Sequence, residues 1–200
     1  MKVLLIRHGE TAGNRERRYV GHNDEPLSAE GERQVRQMGI CVEARQVFSS
    51  PLARAVQTAR LLFPQSELIL LPGLCEMDFG VFAGRAAGEL RHDPAYREWL
   101  NSGCTMPCPG GEGMPGFTER VCAAFARAVS LSMENGSAYL AIVAHGGVLM
   151  AVMSRWARPV RPYFDWQVKP ATGFSALLDE YTWQENPLLT DYAELTELGL

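Results

Sequence analysis

Lysine is nearly missing from this chain: Lys2 and Lys169 are the only two, and every other basic side chain is arginine. Also missing are an apolar stretch of membrane-spanning length, an internal repeat, a low-complexity tract and a Ser/Gly-rich linker. These absences exclude a spanning helix, a solenoid and a chain divided by a flexible joint. Cys41, Cys75, Cys104, Cys108 and Cys122 are odd in number and irregularly spaced, which excludes a disulfide framework. Cys104 and Cys108 lack two further clustered ligands, so no zinc site is expected. A net charge of −4 gives no general attraction to nucleic acid or to acidic membranes. Met1-Lys2 leads into a short apolar segment ending at Arg7, too short for a signal peptide, so cytoplasmic residence is expected.

What is present is enough for one well-buried domain over residues 1–200: 200 residues with 46% hydrophobic content. Val3-Leu4-Leu5-Ile6 and Leu140-Ala141-Ile142-Val143-Ala144 are continuous apolar runs, the pattern of strands buried on both faces. Val47-Phe48-Ser49, Glu67 to Leu71 and Phe174 to Leu178 read as further strands, and the tail after Trp183 pairs or packs weakly. Ser28 caps a helix reaching about Ala44, with Val35, Met38 and Val42 at helical spacing. Ser50-Pro51 reads as a cap and first-turn proline for a helix to about Phe63. Glu89 to Asn101 is helical in pieces around Pro94, and residues 102 to 116 are loop. A long helix spans about Phe117 to Glu134, with Gly136 as its stop, and another runs from Val148 to about Ala157. Strands alternating with helices predict a three-layer α/β/α sandwich around a mainly parallel sheet.

Both long apolar runs end in a histidine followed by glycine: His8-Gly9 and His145-Gly146-Gly147. Ligands bind beyond the carboxyl ends of strands in open α/β sheets, so two such histidines suggest one shared site. Arg7 ends the first strand, Arg54 opens the helix after the second, and Glu76 follows the third. Two arginines and two imidazoles on one pocket suit a tetrahedral dianion such as a phosphoryl group. A carboxyl group in that positive pocket is useful if it carries a proton for a leaving oxygen. Most other arginines, including Arg15, Arg17 and Arg18, read as compositional bias.

The segment Arg7-His8-Gly9-Glu10-Thr11 with Asn14 resembles the signature of the histidine phosphatase superfamily, the phosphoglycerate mutase-like fold. The resemblance continues through Gly21 to Ser28 with Glu30-Gly31, through Ser49 to Ala59, through Glu76-Met77-Asp78-Phe79-Gly80, and through His145-Gly146-Gly147. Five blocks in order are specific, where one alone is weak. The residue before Asn14 is often tryptophan in that family and is Gly13 here, a change expected to alter packing and not chemistry. The resemblance implies a phosphomonoesterase in which His8 is phosphorylated on a ring nitrogen. It implies that Arg7, Arg54 and His145 hold the equatorial oxygens, with Asn14, Gly21 and the Gly146 amide completing the phosphate pocket. Glu76 would protonate the departing alcohol and then accept a proton from water; Asp78 and Glu89 are the neighbouring alternatives. No metal or cofactor is implied, because the arginines supply the positive charge.

The superfamily also contains mutases and non-catalytic binding modules. The intact catalytic positions argue against the last class. The short interval from Glu76 to His145 argues against a mutase, and its Phe79, Phe82, Tyr96, Trp99, Met106 and Met114 favour an organic leaving group. Within the phosphatases, Glu76 to Gly80 and Asp93 to Leu100 look most like the α-ribazole phosphatases of cobalamin lower-ligand synthesis. A broad-specificity small-molecule phosphatase is the alternative. His22 either lines the entrance or is a loop residue, His92 is expected to be passive, and Cys75 a packed thiol. Oligomeric state has no signature in this chain.

Overall fold

The computed structural model describes residues 1–198. One sheet contains β1 (Lys2–Arg7), β2 (Gln46–Ser49), β3 (Glu67–Leu70), β4 (Tyr139–Ala144), β5 (Gly173–Leu177) and β6 (Thr190–Leu195). The order across it is β3-β2-β4-β1-β5-β6. The first four strands run parallel, while β5 pairs antiparallel with β1 and β6 antiparallel with β5. The helices are α1 (Ala12–Arg15), α2 (Ala29–Gln37), α3 (Ala53–Leu62), α4 (Ala87–Leu90), α5 (Pro94–Asn101), α6 (Met114–Glu134) and α7 (Gly146–Trp156).

The apolar runs explain the layers. Successive strand residues point to opposite faces. Val3 and Leu5 of β1 and Leu140 and Ile142 of β4 pack in one cluster with Phe117, Val121 and Phe125 of α6 and Val148 and Val152 of α7. Leu4, Ile6, Ala141 and Val143 pack in a second cluster with Val35 of α2 and Ala55, Ala59 and Leu62 of α3. Both faces are therefore covered, giving the α/β/α sandwich. Each fully buried Leu, Ile or Val contributes about 1.5–3 kcal/mol, so these two strands anchor both halves of the core. Among the described residues no helix is long and apolar enough to cross a membrane.

Three boundaries differ from the sequence reading. The helix begun at Ser28, whose Oγ accepts from Gly31 N at 3.0 Å, ends at Gln37 and not near Ala44. Gly39 has φ +89°, a conformation that closes the helix, and Val42 beyond it is exposed. Ser50-Pro51 does not start α3, which begins at Ala53 after Leu52. The Ala53 amide is capped from a distant loop, by Asp24 Oδ1 at 2.6 Å, a partner local sequence does not reveal. Finally, α6 begins at Met114, inside the segment expected to be loop, with Pro115 in its first turn. The tail after Trp183 does pair, as β6.

Candidate active site

Because β1 to β4 are parallel, their carboxyl ends share one edge of the sheet. Arg7 is the last residue of β1 and His8 follows it; Ser50 follows β2 and His145 follows β4. Glu76 lies just past the single turn Pro72–Leu74 after β3. The His8 amide donates to the Ala144 carbonyl at 3.0 Å and the Ser50 amide to Val143 at 3.1 Å. These bonds tie neighbouring strand ends together and fix the spacing of the side chains beyond them.

His8 is buried, with Nδ1 2.6 Å from the Gly9 carbonyl. A carbonyl only accepts, so Nδ1 carries the proton and the neutral ring keeps its lone pair on Nε2. Arg54 Nε donates to that lone pair at 3.2 Å. Burial, and then the charges of Arg54 and Arg7, hold the His8 pKa well below the ordinary histidine value. The ring is therefore neutral at pH 7, with a nucleophilic nitrogen of defined identity.

His145 stands edge-on to His8, ring centroids 5.1 Å apart, and is wholly buried. Burial followed by the charge of Arg54 keeps it neutral as well. Its Nε2 lies 2.8 Å from Ser50 Oγ, while Nδ1 is buried without a partner among the described residues. Nδ1 can donate to an oxyanion only if the Ser50 hydroxyl donates to Nε2 and sets that tautomer. An orphaned buried nitrogen costs roughly 1–3 kcal/mol, so a ligand that pairs with it recovers that cost.

The two arginines are held by backbone carbonyls. Arg54 Nη1 donates to Asn23 O at 2.8 Å and Nη2 to Gly21 O at 2.7 Å. Arg7 Nη1 donates to Val168 O at 2.6 Å, and its Nε is buried without a partner among the described residues. Burial lowers both guanidinium pKa values, opposed by the Glu76 charge, yet arginine stays charged. Asn14 and Thr11 cap α1 reciprocally: Thr11 Oγ1 accepts from Asn14 N and Asn14 Oδ1 from Thr11 N, both at 3.2 Å. Gly13 donates to Glu25 Oε2 at 2.9 Å, and any Cβ there would meet that carboxylate. A tryptophan at this position would need Glu25 to move.

Glu76 is oriented by two amides: Oε1 accepts from Met77 N at 3.0 Å and Oε2 from Gly147 N at 3.2 Å. A Cβ on Gly147 would collide with Glu76 Oε1, so the second glycine of His145-Gly146-Gly147 is required by the carboxylate. The neighbouring carboxylates are engaged elsewhere. Asp78 Oδ1 accepts from Gly80 N, and Glu89 pairs with Arg18 and accepts from Ala86 N.

Arg7, His8, Asn14, Gly21, Arg54, Glu76 and Gly146 line one cavity of about 340 Å³, in which Glu76 is the only carboxylate among the described residues. His145 lies against the His8 ring and is not itself among the residues that line the cavity. Of the predicted leaving-group residues, Phe79, Trp99 and Met114 line the cavity. Phe82 and Tyr96 do not; they are packed in the core, and Met106 is exposed. Sequence reasoning missed Tyr19, Phe117, Met150, Tyr163 and Phe164, which complete the apolar wall. Tyr19 packs on Phe79 (centroids 5.0 Å) and Trp99 (5.7 Å), and Tyr163 Oη donates to Gly147 O at 3.1 Å. His22 lies outside the lining, its Nε2 2.8 Å from the Glu76 carbonyl, and the exposed His92 accepts a hydrogen bond from Arg91 Nε at 2.9 Å. Cys75 is half-buried beside Ser50. Among the described residues no three His, Cys, Asp or Glu side chains are grouped to hold a metal ion.

Fold and site together define an α/β protein that presents two guanidinium groups, a neutral imidazole and a carboxyl group to one small cavity. The chain belongs to the histidine phosphatase superfamily (branch 1), whose model matches residues 3–186. It is 37% identical over 163 residues to the "Probable phosphoglycerate mutase GpmB" of Enterobacter sp. (strain 638), covering 77% of this chain and 74% of that protein. The alpha-ribazole phosphatase from Shigella flexneri superimposes with a TM-score of 0.82 at 27% identity, covering 100% of this chain and 99% of that one. An Escherichia coli K-12 structure superimposes with a TM-score of 0.84 at 28% identity, covering 100% and 98%.

Proposed function

We infer that this protein hydrolyses phosphomonoesters through a phosphohistidine on His8, with α-ribazole 5′-phosphate as its substrate. In the first half, His8 Nε2, released from its hydrogen bond to Arg54 Nε, attacks phosphorus, the bond to the ester oxygen breaks, and Glu76 gives that oxygen its proton. Arg7 and Arg54 stabilise the equatorial oxygens; for His145 Nδ1–H to join them, the phosphoryl group must reach past the cavity wall to it, with the Ser50 hydroxyl setting its tautomer. In the second half, water attacks phosphorus, its proton goes to the Glu76 carboxylate, the N–P bond breaks and inorganic phosphate leaves. The charge comes from arginine, so exhaustive chelation is expected to leave turnover unchanged, and a loss restored only by added Mg²⁺ or Zn²⁺ would overturn this assignment.

The observation that carries the substrate reading is the make-up of the cavity wall. A phosphoglycerate would need a free cation for its carboxylate. Among the described residues, the one basic residue of the lining besides Arg7, His8 and Arg54 is Arg18. Arg18 is already paired, with Glu16 at 2.7 Å and Glu89 at 2.8 Å. Beside the phosphoryl-binding residues stand Tyr19, Phe79 and Trp99, suited to a flat base and sugar. The likeness to an alpha-ribazole phosphatase over the whole chain supports the same reading. The test is a competition panel of α-ribazole 5′-phosphate, ordinary nucleotides, sugar phosphates and 3-phosphoglycerate. We expect kcat/KM for α-ribazole phosphate to exceed the others by more than tenfold, about 1.4 kcal/mol, with no mutase turnover when 2,3-bisphosphoglycerate is supplied. Rates within tenfold of one another would replace this with a broad-specificity phosphatase, and mutase turnover would overturn it.

A further inference from the structure

Arg120 lies outside the cavity, on α6, yet it is wired to the segment that carries Glu76. Its Nη1 donates to Gly73 O at 2.9 Å and to Cys75 O at 3.0 Å, and its Nη2 donates to Glu76 O at 3.3 Å. Its other bonds run to Glu112: Nε to Oε1 at 2.9 Å and Nη2 to Oε2 at 2.7 Å. A guanidinium has five N–H donors in a rigid fork, and here five acceptors take them. Glu112 closes the loop, since its Oε2 also accepts from Asp78 N at 3.0 Å and its amide donates to Asp78 O at 2.8 Å. The guanidinium stacks on Phe117, 5.2 Å from the ring centroid, and Phe117 lines the cavity. Residues 73 to 78 contain no strand and no regular helix beyond the Pro72–Leu74 turn. The carbonyls of Gly73, Cys75 and Glu76 are instead gathered by one side chain.

We propose that Arg120, braced by Glu112, is the positioning residue of the acid–base group, setting where the Glu76 carboxyl sits relative to the leaving oxygen. This rests on the reading of Glu76 given above. Arg120 touches neither substrate nor the reacting atoms, so its loss should leave phosphoryl binding intact and fall on proton transfer. Misplacing a catalytic group by about 1 Å costs on the order of 100-fold. Lysine keeps the charge but offers one ammonium point in place of a planar fork, and cannot span carbonyls 73, 75 and 76 together with Glu112.

The experiment compares Arg120→Lys and Glu112→Gln with the parent enzyme on an alkyl phosphate and on p-nitrophenyl phosphate, whose leaving group departs with little protonation. The expected result is a 10–100-fold fall in kcat for the alkyl ester, less than threefold for the aryl ester, and KM values within threefold. In the Glu76→Gln background, Arg120→Lys should cost nothing further on the alkyl ester, because the group it positions is gone. Equal losses on both esters, or full additivity with Glu76→Gln, would overturn the proposal and make the cluster a fold-stabilising one. Glu112→Gln keeps the Arg120 fork and should give the same pattern at smaller size, so the proposal stays testable if Arg120→Lys does not fold. A parent enzyme with no activity on either ester would instead count against the proposed function, a separable outcome.

Discussion

The polar and the apolar parts of the cavity wall are built by different means. Arg7, His8 and Arg54 sit at strand ends or a helix start, and each is fixed by bonds to backbone carbonyls at Val168, Gly9, Asn23 and Gly21. Tyr19, Phe79, Trp99 and Phe164 come from turns and short helices and are fixed mainly by packing against one another and their neighbours. The first part tolerates no repacking, because a shifted donor leaves a buried charge unpaired. The second can change residue by residue while the chemistry stays. A shared reaction with divergent substrates is what such a division permits, in keeping with relatives named both as a phosphoglycerate mutase and as a ribazole phosphatase.

The polar half should fail outright when its nucleophile is removed. His8→Ala is expected to lower kcat by about 10⁴-fold or more for every substrate, with the circular dichroism spectrum unchanged. Quenching the parent enzyme during turnover of labelled substrate should trap acid-labile, base-stable phosphate on His8. Label on Ser50 or Cys75 would break the assignment. Next in size is Glu76→Gln, expected to cost about 10²–10⁴-fold on alkyl esters and under tenfold on aryl esters. Equal losses would make Glu76 a positioning group.

The apolar half should respond only to the leaving group. Phe79→Ala is expected to lower kcat/KM about 10–100-fold for a base-bearing ester, the order of losing 1–3 kcal/mol of apolar contact. For methyl phosphate the change should stay within threefold. A uniform loss would mean that Phe79 supports the polar half through its contact with Tyr19 and not the substrate directly.

The same division explains what could be read from the chain. Strand-end residues are legible because a continuous apolar run fixes where the strand stops, and the parallel sheet then brings those ends to one edge: His8 after β1 and His145 after β4 stand side by side, ring centroids 5.1 Å apart. Asp24 capping α3 was hidden, since that bond joins residues 29 apart in sequence. The aromatic residues were legible as a composition and not as contacts. Phe79 and Phe82 are three apart, yet one faces the cavity and the other the core. Residues 80 to 82 form a single turn, so no periodicity assigns their faces. Tyr163 and Phe164 lie far along the chain from any motif, and only the packing of their short turn onto α7 brings them to the cavity.

The smallest expected effect is on stability, and it too separates the two halves. His8 and His145 are buried with pKa values held well below that of an unfolded histidine, about 6.5. As pH falls below about 6.5, the unfolded chain binds protons at both residues while the folded one does not, so stability must fall with falling pH. The loss continues until the pH reaches the folded-state pKa values. By pH 5.5 each histidine can have removed at most about 1.4 kcal/mol relative to pH 7.5. The apolar half contributes nothing to this window, because burial raises the Tyr19 and Tyr163 pKa values far above it. Urea unfolding at pH 7.5, 6.5 and 5.5 measures the slope, and His145→Gln should make it shallower, whatever its effect on stability at pH 7.5. An unchanged slope in that variant would mean that His145 binds its proton in the folded protein, and the neutral-imidazole site would have to be abandoned.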